Sequence, residues 1–292
     1  MQNKYLILVA FVMLLYGSST GLAGPSVLGS AQSFAVLGGS TVTNTGSTTI
    51  TGNLGVSPGS AVTGFPPGLV NGGTIYGPGA ESSQAQSDVT KAYDALKGLA
   101  PYGYNSGILT GTDLGGLTLT PGVYHFNTSA QLTGALTLDA QFNDNAYWVF
   151  QIGSTLTTAP GSSVVLSNLS TNDGIYNGLY WQVGSSATLD TDTTFEGNIL
   201  ALTSITLNTG ATIPNGRALA RNGTVTLDAN VISIVCPNGG PGYSGGLEFD
   251  TAGLHVVPVP GAPAPVPIPS AMLLFGSGLA GLAAFRKRFK KA

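Results

Sequence analysis

The chain has 292 residues, a formal net charge of −3 and only 8% charged residues, against 42% hydrophobic residues. This composition excludes an intrinsically disordered chain, which needs low hydrophobicity and high charge. Residues 24–257 contain four lysines and arginines and all thirteen carboxylates, a net charge near −9 (4 − 13). Such acidity excludes nucleic acid and disfavours anionic membrane surfaces as partners.

Residues 1–23 have the pattern of a removable secretory signal. Lys4 precedes an apolar run from Tyr5 to Tyr16, and small residues then lead to Ala23, after which we expect cleavage. The apolar run is too short for a lasting transmembrane helix. The sequence therefore predicts an exported chain that begins at residue 24.

One amphipathic helix is predicted from about Glu81 to Leu99. Its apolar residues recur at helical spacing, at Ala85, Val89, Ala92, Tyr93 and Leu96. Gly98 and Pro101 provide the stop signal. Because a single helix must bury its apolar stripe somewhere, we expect it to lie along one side of the domain and to make that side unavailable for binding.

Internal repeats dominate the second half of the chain. Ala187–Phe195, Ile205–Ile213 and Val225–Ile232 share one pattern, and their starts are 18 and 20 residues apart. A period near 19 residues holds about three short strands and three turns, which is one coil of a β-helix. One coil cannot bury its own apolar side, so coils stack and pool their inward residues. We expect residues 24–257 to form an all-β solenoid with irregular coils.

Threonine motifs predict a flat polar face on this solenoid. Two segments read T-G-x-T, two others nearly so, and strand alternation places Thr194 and Thr212 outward when Phe195 and Ile213 point inward. Stacked coils would line one face with hydroxyl and methyl groups. Alternatively, threonine simply favours exposed strands. The predicted face residues are Thr45, Thr48, Ser60, Thr63, Thr191, Thr194, Thr209 and Thr212.

Candidate catalytic groups are few. Asp190, Asp192 and Glu196 are carboxylates on neighbouring turns, which can serve glycoside chemistry or Ca²⁺ binding, but aspartates at such places more often cap turns, the interpretation we favour. No histidine pair has metal-ligand spacing and no serine lies in a nucleophile elbow. We expect no enzyme, no metal and no cofactor. Cys236 is the only cysteine, and we expect it to be buried and inert.

Residues 258–292 have the order of a sorting segment. Val257–Pro269 is a proline-rich linker, Ala271–Phe285 is apolar, and a basic cluster follows directly. Fifteen apolar residues are marginal for a stable span, so a transient hold in the inner membrane is expected. The segment resembles the PEP-CTERM tail of Gram-negative bacteria, with Ile268 in place of the usual glutamate. That resemblance implies processing by an exosortase and delivery to the exopolysaccharide or cell surface.

Several blocks between residues 26 and 236 resemble the microbial ice-binding protein family. They are Leu28–Leu37, Thr51–Gly59, Val62–Pro67, Gln84–Asp88 and Gly197–Arg221. The resemblance implies a right-handed discontinuous β-helix with a flanking α-helix, which binds ice through one flat face bearing T-A/G-x-T/N motifs. Asp192 lies where the family has alanine or glycine, which implies recrystallisation inhibition and only modest antifreeze activity.

The sequence therefore predicts a secreted or surface-bound monomer that adsorbs to an ice crystal surface without a cofactor. The alternative is an adhesion protein that holds exopolysaccharide on the same scaffold. A sugar-binding face exposes aromatic residues, for which Tyr102, Tyr104, Tyr176 and Tyr180 are candidates. A third hypothesis, a carbohydrate-active enzyme at Asp190 and Asp192, is disfavoured.

Overall fold

The computed structural model describes residues 26–99, 107–170, 176–235, 242–250 and 256–258. The predicted signal, Cys236, the proline-rich linker and the sorting segment lie outside the described residues. Among the described residues, no helix is both long enough and apolar enough to cross a membrane.

The described residues are mainly short strands. After a 3₁₀ helix (Gly29–Ser33), the elements in chain order are β1 (Phe34–Gly38), β2 (Thr41–Thr45), β3 (Thr49–Thr51), β4 (Asn53–Val56), β5 (Ala61–Thr63), β6 (Leu69–Asn71), β7 (Ile75–Tyr76), α1 (Ala80–Gly98), β8 (Gly107–Ile108), β9 (Thr118–Leu119), β10 (Gly122–Phe126), β11 (Ala130–Leu132), β12 (Ala135–Asp139), β13 (Tyr147–Ile152), β14 (Leu156–Thr158), β15 (Ser163–Ser167), β16 (Gly178–Val183), β17 (Ala187–Leu189), β18 (Thr194–Ala201), β19 (Ile205–Leu207), β20 (Thr212–Ala220), β21 (Val225–Asp228), β22 (Val231–Ser233), β23 (Leu247–Phe249) and β24 (Val256–Pro258).

Each coil of the solenoid has three sides. In one coil, β17 lies on the first side, the start of β18 on the second, and the rest of β18 on the third, where α1 packs. The next coil, β19 and β20, pairs with it in parallel and in register, with Ala187 opposite Ile205 and Thr194 opposite Thr212. Adjacent strands are therefore about 4.8 Å apart along the whole stack. The predicted β-helix is confirmed.

The coils are not stacked in chain order. Along the first side, the strands follow the order β11-β14-β17-β19-β21-β2-β5. The first coils of the chain thus pack on the last one, with Thr43 opposite Thr226 and Val36 opposite Ala218. The discontinuity predicted from the family resemblance is this jump.

Helix α1 connects the two parts of the stack. It lies one residue N-terminal to its prediction, and all five predicted stripe residues are buried. The Gln86 side chain donates to the Ala220 carbonyl, and the Gln151 side chain donates to the Leu96 carbonyl. From Gln86 to Leu96 the helix rises about 15 Å, and β20 lies three coils from β13, or about 14 Å. The helix axis therefore follows the stacking direction.

Strands on the helix side are buried on both faces. Their inward aromatic residues stack across coils, with ring centroids 5.5 Å apart for Tyr124 and Phe150 and 4.0 Å apart for Phe150 and Trp181. Alternate residues, such as Val149 and Leu200, face α1 instead and form a second apolar cluster with it. These double-sided strands contribute much of the hydrophobic stabilisation.

A buried arginine joins three distant segments. Arg217, 1% exposed, donates to the Gln32 carbonyl at 2.6 Å, to Asn198 Oδ1 at 2.7 Å and to the Gly242 carbonyl at 3.1 Å. The guanidinium thus connects the N-terminal segment and the C-terminal segment to the central coils.

We call residues 24–259 the body, which is the first of two contact units without the predicted signal. The chain divides by its contacts into Met1–Val259 and Pro260–Ala292. Both apolar clusters of the described residues are closed by side chains between Val27 and Phe249. Among the described residues, the two apolar clusters of the body are therefore formed without residues 260–292.

Replacing the buried arginine is expected to destabilise the body. Arg217→Met leaves Asn198 and two carbonyl groups without their donor, a loss of about 2–4 kcal/mol in the free energy of unfolding. Arg221→Met is the matched control, because its ion-pair partner Asp94 is 62% exposed and such surface pairs contribute about 0–1 kcal/mol. Urea denaturation measures both. Equal losses for the two variants would contradict the role of Arg217.

Candidate functional site

The first side of the solenoid carries an in-register column of threonines. Each strand contributes one outward residue, here called its central residue, as Thr188 lies outward between the buried Ala187 and Leu189. In β5 this residue is Thr63, which pairs with Thr43. Parallel pairing places these central residues over one another. In stacking order they are Gln131, Thr157, Thr188, Thr206, Thr226, Thr43 and Thr63.

A second column of small residues lies beside the first, two positions earlier in each coil, at or just before the start of the strand. Its members in the same order are Ser129, Thr155, Ser186, Ser204, Thr224, Thr41 and Ala61. Hydrogen bonds run along it, from Thr155 Oγ1 to Ser129 Oγ at 2.8 Å and between the hydroxyls of Thr41 and Thr224 at 2.9 Å. These bonds fix the side-chain positions. We call the two columns together the threonine face.

The threonine face bears no charged side chain. Its central hydroxyls interact little with each other, since the closest bonded pair, Thr43 and Thr226, lies at 3.5 Å. Within the described part of the chain, the hydroxyls of Thr188 and Thr206 have no hydrogen-bond partner. They are therefore available to water, each beside a methyl group of the same residue.

Hydrogen-bonded polar residues border this face where the coil turns to the second side. Asp190 accepts from Asn208 Nδ2 at 2.9 Å and from the Thr191 amide at 2.8 Å, and these bonds, that from Asn208 first, lower the pKa of Asp190. Thr209 Oγ1 donates to Asp228 Oδ2 in the next coil. Asp190 thus caps its turn, as predicted, whereas Asp192, for which the same role was favoured, is exposed and forms no side-chain hydrogen bond within the described residues.

The eight predicted face residues do not form one surface. Thr63 belongs to the threonine face, and Thr45 lies at its border, opposite Asp228. Ser60 is exposed just before β5. Thr191 and Thr209 lie in the border turns and bond to the aspartates there.

Thr194 and Thr212 point outward, as strand alternation predicted, but they lie on the second side of the solenoid. That side carries both hydroxyl and aliphatic residues, and Val231 and Leu69 are 47% and 58% exposed. Its outward column is Ala135, Ser163, Thr194, Thr212, Val231, Thr49 and Leu69. We call it the mixed face.

The outward orientation predicted for Thr48 is wrong. Thr48 is 0% exposed, and its hydroxyl accepts from the Asn230 amide at 3.1 Å. The motif alignment equated Thr48 with Thr212, but the ladder places Thr49 in the position of Thr212, through Val231. Thr48 therefore takes the inward position that Ala211 occupies in the neighbouring coil.

Most residues of the threonine face were missed from the sequence. The missed central threonines are Thr43, Thr157, Thr188, Thr206 and Thr226. The signal was present, because three of them are the middle residues of the repeated Ala-Thr-Leu, Ile-Thr-Leu and Val-Thr-Leu segments. The better-marked T-G-x-T segments turned out to be the corners between two sides.

The three candidate carboxylates lie at two different corners. Asp190 and Asp192 are in the turn beside the threonine face, whereas Glu196 lies where β18 bends from the second side to the third. Glu196 Oε1 accepts from Asn215 Nδ2 at 3.2 Å, and burial raises the pKa of Glu196 to about 7. Among the described residues, no three histidine, cysteine or carboxylate side chains are grouped as metal ligands.

Two family models match the chain. The ice-binding-like family matches residues 36–233, and the PEP-CTERM protein-sorting motif matches residues 265–288. An ice-binding protein of Nostoc sp. (strain HG1) is 51% identical over 292 residues, covering 99% of this chain and 98% of that protein. An ice-binding protein of Colwellia sp. is 32% identical and covers 80% of this chain and 94% of that protein.

Solved structures agree with these matches. The crystal structure of an ice binding protein from an Antarctic biological consortium is 47% identical, with a TM-score of 0.65, and covers 72% of this chain and 90% of that one. The ice-binding protein of the Antarctic ascomycete Antarctomyces psychrotrophicus is 38% identical, with a TM-score of 0.65, and covers 72% and 98%.

Glu196 is expected to make stability pH-dependent. Its pKa is about 7 in the folded body against the usual 4.5, so its favourable contribution is complete below pH 4.5 and is lost as the pH rises through 7. Glu196→Gln removes this decline and is expected to gain up to about 3 kcal/mol on the wild type between pH 4.5 and 8. Urea denaturation at pH 4.5 and at pH 8 measures the free energy of unfolding of both proteins.

Asp190→Asn serves as the comparison, because the pH dependence of stability that Asp190 causes has the opposite sign to that of Glu196. The lowered pKa of Asp190 means that its stabilising contribution is present at neutral pH and is lost as the pH falls through the folded pKa. If the stability of the Glu196→Gln body falls as steeply as that of the wild type when the pH rises from 4.5 to 8, the role of Glu196 is refuted.

Proposed function

The chain belongs to the ice-binding-like family, and from that membership we propose that it is an extracellular protein that adsorbs to ice through the threonine face. The observation that carries this proposal is the column of six threonines on successive strands, from Thr157 to Thr63, held in register by parallel pairing.

The chemistry of this face is appropriate for a crystal of water. A charged group orders water in a geometry foreign to the ice lattice, whereas neighbouring methyl and hydroxyl groups hold water without imposing that geometry. The outward groups form a grid with spacings of about 4.8 Å between strands and about 6.6 Å between alternate residues of one strand. Repeats of this size are comparable to oxygen spacings in ice.

Rigidity reduces the free-energy cost of adsorption. Immobilising one water costs up to about 2 kcal/mol, and a surface that already holds its waters in place has met that cost before contact. The hydrogen bonds of the second column and the aromatic stack behind it keep the strands in fixed positions. Many weak contacts across the face then add up.

The limits of the face indicate modest activity. Its central column begins at Gln131, and carboxylates of Asp190 and Asp228 border one long edge. The mixed face, with Thr194 and Thr212, is the second candidate surface, but its protruding aliphatic side chains make it less even. We therefore propose recrystallisation inhibition with a small freezing-point depression.

The PEP-CTERM motif implies export, processing by an exosortase and association with the surface of a Gram-negative bacterium. We propose that residues 258–292 hold the chain briefly in the inner membrane before processing, and that the body then acts as a monomer. The named relatives are ice-binding proteins rather than enzymes, and the proposed adsorption requires neither catalysis nor a cofactor.

Adhesion to exopolysaccharide is the second candidate function. It is favoured by the sorting motif and by the exposed aromatic ring of Tyr176, which is 57% accessible. Of the other predicted aromatics, Tyr180 is fully buried and is not available, and Tyr102 and Tyr104 lie outside the described residues.

Bulky residues in the threonine face are expected to abolish ice binding. The double substitution Thr188→Tyr and Thr206→Tyr places two aromatic rings on adjacent coils in the middle of the face. Exposed strands tolerate tyrosine, so the fold is retained. We expect the amount of body incorporated into a slowly growing ice crystal to fall at least about tenfold, or 1.4 kcal/mol. Fluorescence of the labelled body in the ice fraction measures this.

Thr194→Tyr with Thr212→Tyr is the matched control, because it makes the same change in the same two coils on the mixed face. We expect this variant to retain most of its ice binding. The reverse result, loss with the control and retention with Thr188→Tyr and Thr206→Tyr, would assign ice binding to the mixed face.

The adhesion hypothesis makes a separate prediction. If it holds, the body is retained on immobilised exopolysaccharide, and Tyr176→Ala weakens retention because a sugar loses its aromatic stacking partner. The Thr188→Tyr and Thr206→Tyr body is then retained as strongly as the wild type. No retention of the wild-type body would exclude this function.

A further inference from the structure

The C-terminal segment of the body runs along one corner of the solenoid. The Gly242 carbonyl accepts from Arg217, and the Tyr243 carbonyl accepts from Asn198 Nδ2 at 2.8 Å and from the Leu179 amide at 2.9 Å. These three donors belong to β20, β18 and β16, which are successive coils. The segment therefore crosses three coils along the stacking direction.

This corner lies opposite the threonine face. β18 and β20 bend there from the second side to the third, at Glu196–Gly197 and at Asn215–Gly216. Since each coil has three sides, the corner between the second and third sides is the part of the cross-section farthest from the first. The segment is thus held on the side of the body that faces away from the threonine columns.

Strands β23 and β24 follow this segment in the chain. Beyond this corner, Leu247 in β23 pairs with Pro258 in β24, and the Leu247 side chain is buried in the cluster beneath α1. Ser26, near the N-terminal end of the body, forms a bridge with Glu248. The first described residue, Ser26, and the last, Pro258, therefore both lie beside β23, which packs on the helix side of the body.

The attachment of this segment is rigid. The Tyr180 hydroxyl donates to the Gly245 carbonyl at 2.9 Å, and the Gly245 amide donates to the Asn177 carbonyl at 3.0 Å. Tyr243 and Ser244 are buried. Residues 242–245 therefore have a fixed position relative to the threonine face, and they are bonded to several coils together.

We propose that the body works as a tethered anchor, held at its C-terminal end by the cell surface or its polymer while the threonine face binds ice on the opposite side. This inference rests on the proposed function of the threonine face. It adds that attachment and adsorption occur together, so that the protein holds the cell surface, or the polymer on it, to ice.

The test is to immobilise the body on beads through one of three single cysteines in a Cys236→Ser background. One cysteine is added after Val259, one is Lys97→Cys on the exposed side of α1, and one is Thr206→Cys in the middle of the threonine face. The readout is the fraction of beads incorporated by a slowly advancing ice front, with the same three bodies free in solution as controls.

We expect beads joined after Val259 and at Lys97→Cys to be incorporated at least about tenfold more often than beads joined at Thr206→Cys, because many copies act together on each bead. Exclusion of the beads joined after Val259, when the same body binds ice in solution, would overturn the tethered geometry. Failure of the free wild-type body to enter ice would instead overturn the proposed function itself.

Discussion

Parallel, in-register pairing between successive coils is the constraint on which the rest of the structure depends. A single coil has too little apolar surface to fold alone, so stability comes from stacking. Hydrogen bonding between strands then sets equal positions of different coils over one another about 4.8 Å apart. The same rule that stacks Tyr124, Phe150 and Trp181 in the interior stacks Thr188, Thr206 and Thr226 on the surface. A regular core and a regular face are two results of one geometry.

The three sides of the solenoid have different roles because α1 covers one of them and leaves the other two exposed. The helix side is buried under α1 and carries apolar residues on both faces of its strands, such as Phe150 inward and Val149 outward. The threonine face is uncovered and uncharged, and the mixed face is uncovered but uneven. Turn chemistry keeps these roles apart, since two of the carboxylates near the threonine face are bonded into the corner, Asp190 to Asn208 and Asp228 to Thr209.

Sequence patterns predicted the elements well and their alignment poorly. The helix, the repeating coils and the inward positions of Phe195 and Ile213 followed from periodicity, which is a local property. The orientation of Thr48 did not, because it depends on the length of one loop relative to a strand far away in the chain. The full length of the threonine face requires knowing that β2 pairs with β21, because this pairing adds Thr43 and Thr63 to the column, and no spacing within either segment indicates it.

The jump in stacking order also determines when the fold can close. Thr43 and Thr226 are 183 residues apart in the chain yet are neighbours in the sheet. Strands β1 to β7, the first to be synthesised, pair with one another, but they join the main stack only when β20 to β22 are present. Contact order this high slows folding. The continuous stack, and with it the full length of the threonine face, therefore forms only after the last coils have been synthesised.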